Sequence, residues 1–189
     1  MPIQGNGWEL HVERLGLHRR GTLTRTYGHY AVYVDGVPKG VSGFMVETVG
    51  PGDNTTPDNG RRIEAGHYPL TTHYRSFVSV GYSPSDSIVA DPPMPAIRLL
   101  DTGRRTGILI HPVYLPAPKL YVASIGCLNP TRAVTADEDV DFWDSRARVI
   151  ELIAGLRSYR PEAFATPMPT RIDGAAVVID GEPMEQPSA

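Results

Sequence analysis

The sequence predicts a mainly β domain with one main helix near its C-terminal end. Three observations predict it. Apolar and polar residues alternate in several short runs, the period of a strand with one buried face. The 189 residues include 19 Gly and 18 Pro, so turns are frequent and long helices few. One stretch, 137–159, carries apolar residues at helical spacing and ends at a proline.

The elements follow in order. Trp8, Leu10 and Val12 open a strand over 8–17, and Tyr30, Val32 and Val34 mark a second over 29–34. Asp35-Gly36 then favours a tight turn, and Phe44 to Val49 is a third strand. Residues 50–60 hold almost nothing apolar and read as an exposed loop. The stretch 61–70 leads into another short strand. Residues 83–95, with Pro84, Pro92, Pro93 and Pro95, read as loop because proline removes a donor and restricts its neighbour. Ile97 to Leu100 is a short strand, and Gly107 to Ile110 a strand buried on both faces.

The helix is expected to start at a capping box, with Thr135 and Glu138 as its pair and Asp137, Glu138 and Asp139 at the positive end of the dipole. Val140, Trp143, Ala147, Ile150 and Ala154 form its apolar stripe, and Pro161 follows its end. Ala175 to Ile179 is a last strand. The expected division is 1–60 as a β-rich segment completing the sheet, 61–180 as the main domain and 181–189 as a polar tail.

Charge is nearly balanced, at net -3, with no basic stripe, which argues against a nucleic-acid partner. No apolar run reaches a membrane-spanning length, so no membrane span is expected. The first residues lack a basic region followed by an apolar stretch, so no secretory signal is expected. A single cysteine rules out an internal disulfide and a multi-thiolate metal centre.

That cysteine, Cys127, follows Gly126 in the small-residue turn Ser124-Ile125-Gly126-Cys127-Leu128-Asn129-Pro130. His111 stands at the exit of the strand Ile108-Leu109-Ile110 and is followed by Pro112. A thiol is a weak nucleophile until it loses its proton, and an adjacent imidazole can take that proton. Gly126 admits backbone conformations denied to other residues, so the Gly126 and Cys127 amides could point at a developing oxyanion. Without the imidazole, the lone cysteine reads as a buried small hydrophobe.

His111 followed by Ser124-x-Gly126-Cys127-Leu128-Asn129 resembles the active-site signature of the L,D-transpeptidases, the YkuD-like catalytic domains. The stretch Arg62 to Leu70, the helix after the cysteine and the closing run 174–179 are also similar to that family, so the likeness covers roughly 61–179. It implies a β-sandwich or barrel with one main helix. It also implies acyl transfer on peptidoglycan stem peptides without metal or cofactor, with Cys127 as nucleophile and His111 as base. The Gly126 and Cys127 amides would form the oxyanion hole, with Ser124 and Asn129 supporting the turn. Ile125 stands where the family has a His, and 12 residues separate His111 from Ser124, slightly fewer than is usual. Without a signal, action in the periplasm or cell wall requires special delivery, as for a phage or secretion-system effector with a delivery or immunity protein as partner. The alternatives are a cytoplasmic location and a non-catalytic structural module of a phage or secretion apparatus that keeps the scaffold.

His73, Tyr68 and Arg104 are candidate substrate contacts. The pairs Arg61-Arg62 and Arg104-Arg105 otherwise read as solvated, or as partners for substrate carboxylates. His11, His18, His29, His67 and His73 lack metal-ligand spacing, and Asp53, Asp58 and Asn59 lack that of a calcium loop. Trp8 and Trp143 read as core.

Overall fold

The computed structural model describes residues 2–82, 94–113, 119–122 and 124–183. Its centre is an eight-stranded sheet, nearly closed into a barrel, with one helix near the C-terminal end. β1 (Trp8–Arg20), β2 (Leu23–Val34) and β3 (Val37–Glu47) form an antiparallel meander. Asp35 and Gly36 turn the chain between β2 and β3 with φ of 50 and 75, the hand that matches a twisted hairpin.

β4 (Gly66–Thr72) follows the 50–60 loop. β5 (Phe77–Val78) and β6 (Met94–Pro95) form a small parallel pair. The proline-rich 83–95 stretch therefore ends in a strand rather than a loop, because Pro95 at a two-residue pairing loses little by lacking an amide donor. Residues 83–93 lie outside the described residues. β7 (Ile97–Leu99) and β8 (Leu109–Ile110) complete one side of the sheet. β9 (Lys119–Leu120) pairs with β11 (Val140–Asp141), and β10 (Asn129–Thr131) pairs with β3.

α1 spans Phe142–Tyr159, and a short 3-10 turn spans Pro161–Phe164. β12 (Arg171–Asp180) runs parallel to β1 and antiparallel to β4. The last strand thus lies between the first and the fourth, and the N-terminal meander supplies three of the eight strands of the main sheet.

The helix begins later than the capping box suggests. The Asp141 carboxylate accepts from the Trp143 and Asp144 amides at 2.9 and 3.0 Å, so Asp141 is the cap. Thr135 and Glu138 do pair, with the Thr135 amide donating to Glu138 Oε2 at 2.7 Å, but the pair closes a turn before β11. Val140 and Asp141 are then taken by the β11 pairing, which competes with helix.

Leu10, Val12, Leu70, Ile97, Ile110 and Val177 face one continuous core, into which α1 buries Val149, Leu152, Ile153 and Leu156. A second apolar cluster of Val46, Met94, Val113, Val134, Val140 and Phe142 lies on the other face of the β3–β10 edge. Among the described residues no helix is long and apolar enough to cross a membrane.

The expectation of solvated arginine pairs is corrected at two of four positions. Arg61 and Arg104 are exposed, but Arg62 and Arg105 are buried. Arg62 donates to the Thr26 hydroxyl and, at 2.6 Å, to Glu182. Arg14 likewise meets Glu47 through two 2.8 Å bonds inside the protein. A buried guanidinium is tolerated because its donors are matched by carboxylate and carbonyl acceptors.

Candidate active site

The barrel has one seam, where the edge strand β8 meets the segment entering β10. Ile110 and Leu128 form a parallel bridge, with the His111 amide donating to the Leu128 carbonyl at 3.1 Å and the Leu128 amide to the Leu109 carbonyl at 2.9 Å. Ile110 and Leu128 both point into the main core. Strand alternation sends Leu109, His111 and Asn129 to the opposite face, whereas Cys127 precedes β10 and turns its Sγ to the Leu109 amide at the seam. The bridge brings the two segments of the motif side by side, but Cys127 Sγ turns to the Leu109 amide and the Gly107 carbonyl, and no hydrogen bond joins it to His111 among the described residues.

Backbone contacts hold this strip. The Asn129 side-chain amide donates to the His111 carbonyl at 2.8 Å, and the Ser124 hydroxyl donates to the Cys127 carbonyl at 2.8 Å. Ser124 and Asn129 thus tie the cysteine turn to itself and to the histidine strand. The Gly126 and Cys127 amides engage no acceptor among the described residues.

Gly126 takes φ of 151, a region closed to side chains. Arg105 explains why nothing larger fits there. A Cβ on residue 126 would lie 2.2 Å from Arg105 Nη2. The guanidinium donates to the carbonyls of Ile125 at 3.1 Å, Asp53 at 3.1 Å and Arg61 at 3.0 Å. Arg105 therefore pins the cysteine turn to the 50–60 loop from below. Sequence reasoning missed this residue, since a surface and a buried arginine look alike until the acceptors are placed.

Electrostatics favour a neutral pair. His111 is 7% exposed, and burial lowers its pKa from 6.5 to about 4, with a bond to the Pro112 carbonyl as a smaller opposing influence. His111 Nδ1 lies 2.6 Å from that carbonyl oxygen. A carbonyl only accepts, so Nδ1 carries the proton and Nε2 the lone pair. Burial also pushes the Cys127 thiol up, while the Leu109 amide and the Arg105 charge pull it down by less. Cys127 Sγ accepts from the Leu109 amide at 3.3 Å and donates to the Gly107 carbonyl at 3.7 Å. The thiol is partly exposed. A neutral imidazole with a free basic nitrogen and a protonated thiol can act only by moving the proton as the sulfur attacks.

The other candidates divide. Phe77 packs on the His111 ring at 4.8 Å between centroids. Continuing the β4–β7–β8 register places His73 in the row of Ala96 and His111. Its pKa is lowered first by burial and then by the charges of Arg98 and Arg75. Arg98, level with Leu109, faces the same side, and its buried Nε has no hydrogen-bond partner among the described residues.

Tyr68 is not part of this face. Its ring joins the main core, and its hydroxyl donates to the Glu64 carbonyl and accepts from Asn54. Arg104 sits in an exposed turn whose amide donates to the Asn54 carbonyl, and among the described residues no hydrogen bond joins it to Cys127. Ile125, in the position of the family's second histidine, is 71% exposed to solvent. Among the described residues no group of three or more His, Cys, Asp or Glu is placed to hold a metal.

No protein-family model, no curated protein and no solved structure matches the chain.

Proposed function

We propose that this chain carries out cysteine-dependent acyl transfer on peptidoglycan stem peptides, as an L,D-transpeptidase or L,D-carboxypeptidase. One observation carries the reading. The barrel seam brings the segments that carry Cys127 and His111 side by side, and the Pro112 carbonyl holds the imidazole with its lone pair on Nε2, which supports its reading as the base. The motif resemblance at 111 and 124–129 supplies the substrate class.

In this reading Cys127 Sγ attacks the carbonyl before the terminal D-Ala, and its proton passes to His111 Nε2. The tetrahedral oxyanion is met by the Gly126 and Cys127 amides. Its collapse breaks the amide bond, His111 returns the proton to the leaving amine, and a thioester remains. Water resolves it in carboxypeptidation, an amine of a second stem in transpeptidation. Arg98 and His73 border the same face, and a guanidinium there suits a stem-peptide carboxylate. Action on this substrate places the protein in the periplasm or cell wall.

The raised thiol pKa favours a second reading, a non-catalytic module that keeps the scaffold. Mass spectrometry of muropeptides incubated with wild type and Cys127→Ala separates the two. Shortened or crosslinked stems with wild type, and none with Cys127→Ala, support acyl transfer. Unchanged muropeptides in both sink it.

A further inference from the structure

We infer that the cavity between the N-terminal meander and α1 binds a small neutral molecule with an apolar body and one hydrogen-bond acceptor. The cavity measures about 300 Å³, at the lower end of the range of small-ligand sites. It shares no lining residue with the Cys127 strip. Trp8, Val32, Val34, Val41, Leu152 and Tyr159 form its walls.

Two features single it out from a packing gap. Trp8 is 2% exposed, yet its indole N–H meets no acceptor among the described residues. The indole nitrogen of Trp143, by contrast, is itself buried from solvent, although its ring is partly exposed. Trp8 Nε1 instead faces Gly155, from whose position a Cβ would be 3.6 Å away. That is an ordinary contact, so packing does not demand glycine at 155. Glycine within α1 weakens the helix, and a side chain there would occupy the space over the indole N–H. The site therefore gives up helix propensity beside an indole N–H that opens to the cavity without a protein acceptor among the described residues, and both are accounted for by a ligand acceptor at Trp8.

The mouth carries Lys39 and Glu151, both exposed and of opposite sign. They leave no net field to select an ion, and the walls are apolar, which favours a neutral ligand. The cavity volume suits a molecule of a single ring with a short substituent. Aryl or alkyl ketones and esters have this chemistry.

The test uses acetophenone and ethylbenzene, which differ mainly in the acceptor. The two indole resonances of the 15N-labelled full chain are assigned with Trp143→Phe and followed during titration. Acetophenone should move the Trp8 resonance downfield and saturably, leave Trp143 still, and bind about fivefold more tightly than ethylbenzene, the worth of one net hydrogen bond. Gly155→Leu, which fills the space while favouring the helix, should abolish the titration while the circular dichroism spectrum stays unchanged. Equal behaviour of the two probes would overturn the inference. So would no saturable Trp8 shift, or a titration that survives Gly155→Leu.

Discussion

The guanidinium of Arg105 occupies the space that a side chain on residue 126 would need, so Gly126 and Arg105 form a single structural unit beneath Cys127. The turn that carries the sulfur is shaped by this contact rather than by its own residues alone.

The first prediction concerns that unit. Gly126→Ala should destabilise the protein by about 3 kcal/mol, from backbone strain and displacement of a hydrogen-bonded guanidinium. Arg105→Ala should cost a similar amount by stripping three carbonyls of their donor. Denaturant unfolding of both variants and the double variant should show strong non-additivity, because the second change removes an obstacle created by the first. Additive losses would separate the two residues.

His111 should make stability depend on pH. Its folded pKa is depressed to about 4 from 6.5, so the unfolded chain binds the proton more readily between those values. Stability is therefore fully present above about pH 6.5, falls as pH drops towards 4 and then levels, by roughly 3 kcal/mol in total. Urea titrations across this window should show the slope, and His111→Gln should flatten it. The acid limb of acyl transfer should likewise lie near pH 4 rather than near 6.5.

Thiol chemistry should separate a neutral pair from a thiolate–imidazolium pair. With the thiol pushed up, iodoacetamide should alkylate Cys127 slowly at neutral pH, with a rate that climbs as pH passes the usual thiol range. His111→Ala should change this rate by no more than about twofold, since a neutral ring lends no charge. Acyl transfer should fall by about 100-fold or more in the same variant, since the base is gone. Fast alkylation at pH 7 that His111→Ala slows would mean that the pair is ionised.

The start of α1 gives a fourth prediction. Asp141→Ala should cost about 1 kcal/mol, the worth of an N-cap, in thermal or chemical unfolding. Glu138→Ala should cost clearly less, because its bond to the Thr135 amide closes an exposed turn ahead of the helix. The reverse order would put the helix start at the capping box.

Much of the architecture was legible because its signals are local. Trp8, Leu10 and Val12 alternate and form the start of β1, and Asp35-Gly36 turns where its left-handed preference requires. Leu109-Ile110 is buried on both faces as its unbroken apolar run suggests. The start of α1 was misread because Thr135 and Glu138 do make their local bond, while the β11 pairing with a distant segment takes the residues after it. Pro95 was read as loop because its partners, Phe77 and Val78, are remote in sequence.

The candidate site divides along the same line. Residue types and order at His111, Ser124, Gly126, Cys127 and Asn129 were readable from the chain, because chemistry is a property of side chains. Their burial, the bridge that joins their segments and the protonation they favour were not. Those depend on the seam between β8 and β10, on Phe77 over the imidazole and on Arg105 beneath the turn. The sequence by itself determined which elements form and which groups are reactive, since periodicity, turn preference and intrinsic pKa act over a few residues. Only the tertiary structure decided that Arg62 and Arg105 are buried, that Tyr68 belongs to the core and that burial favours the neutral thiol and imidazole, since desolvation and hydrogen-bond matching depend on which distant residues the nearly closed sheet brings alongside.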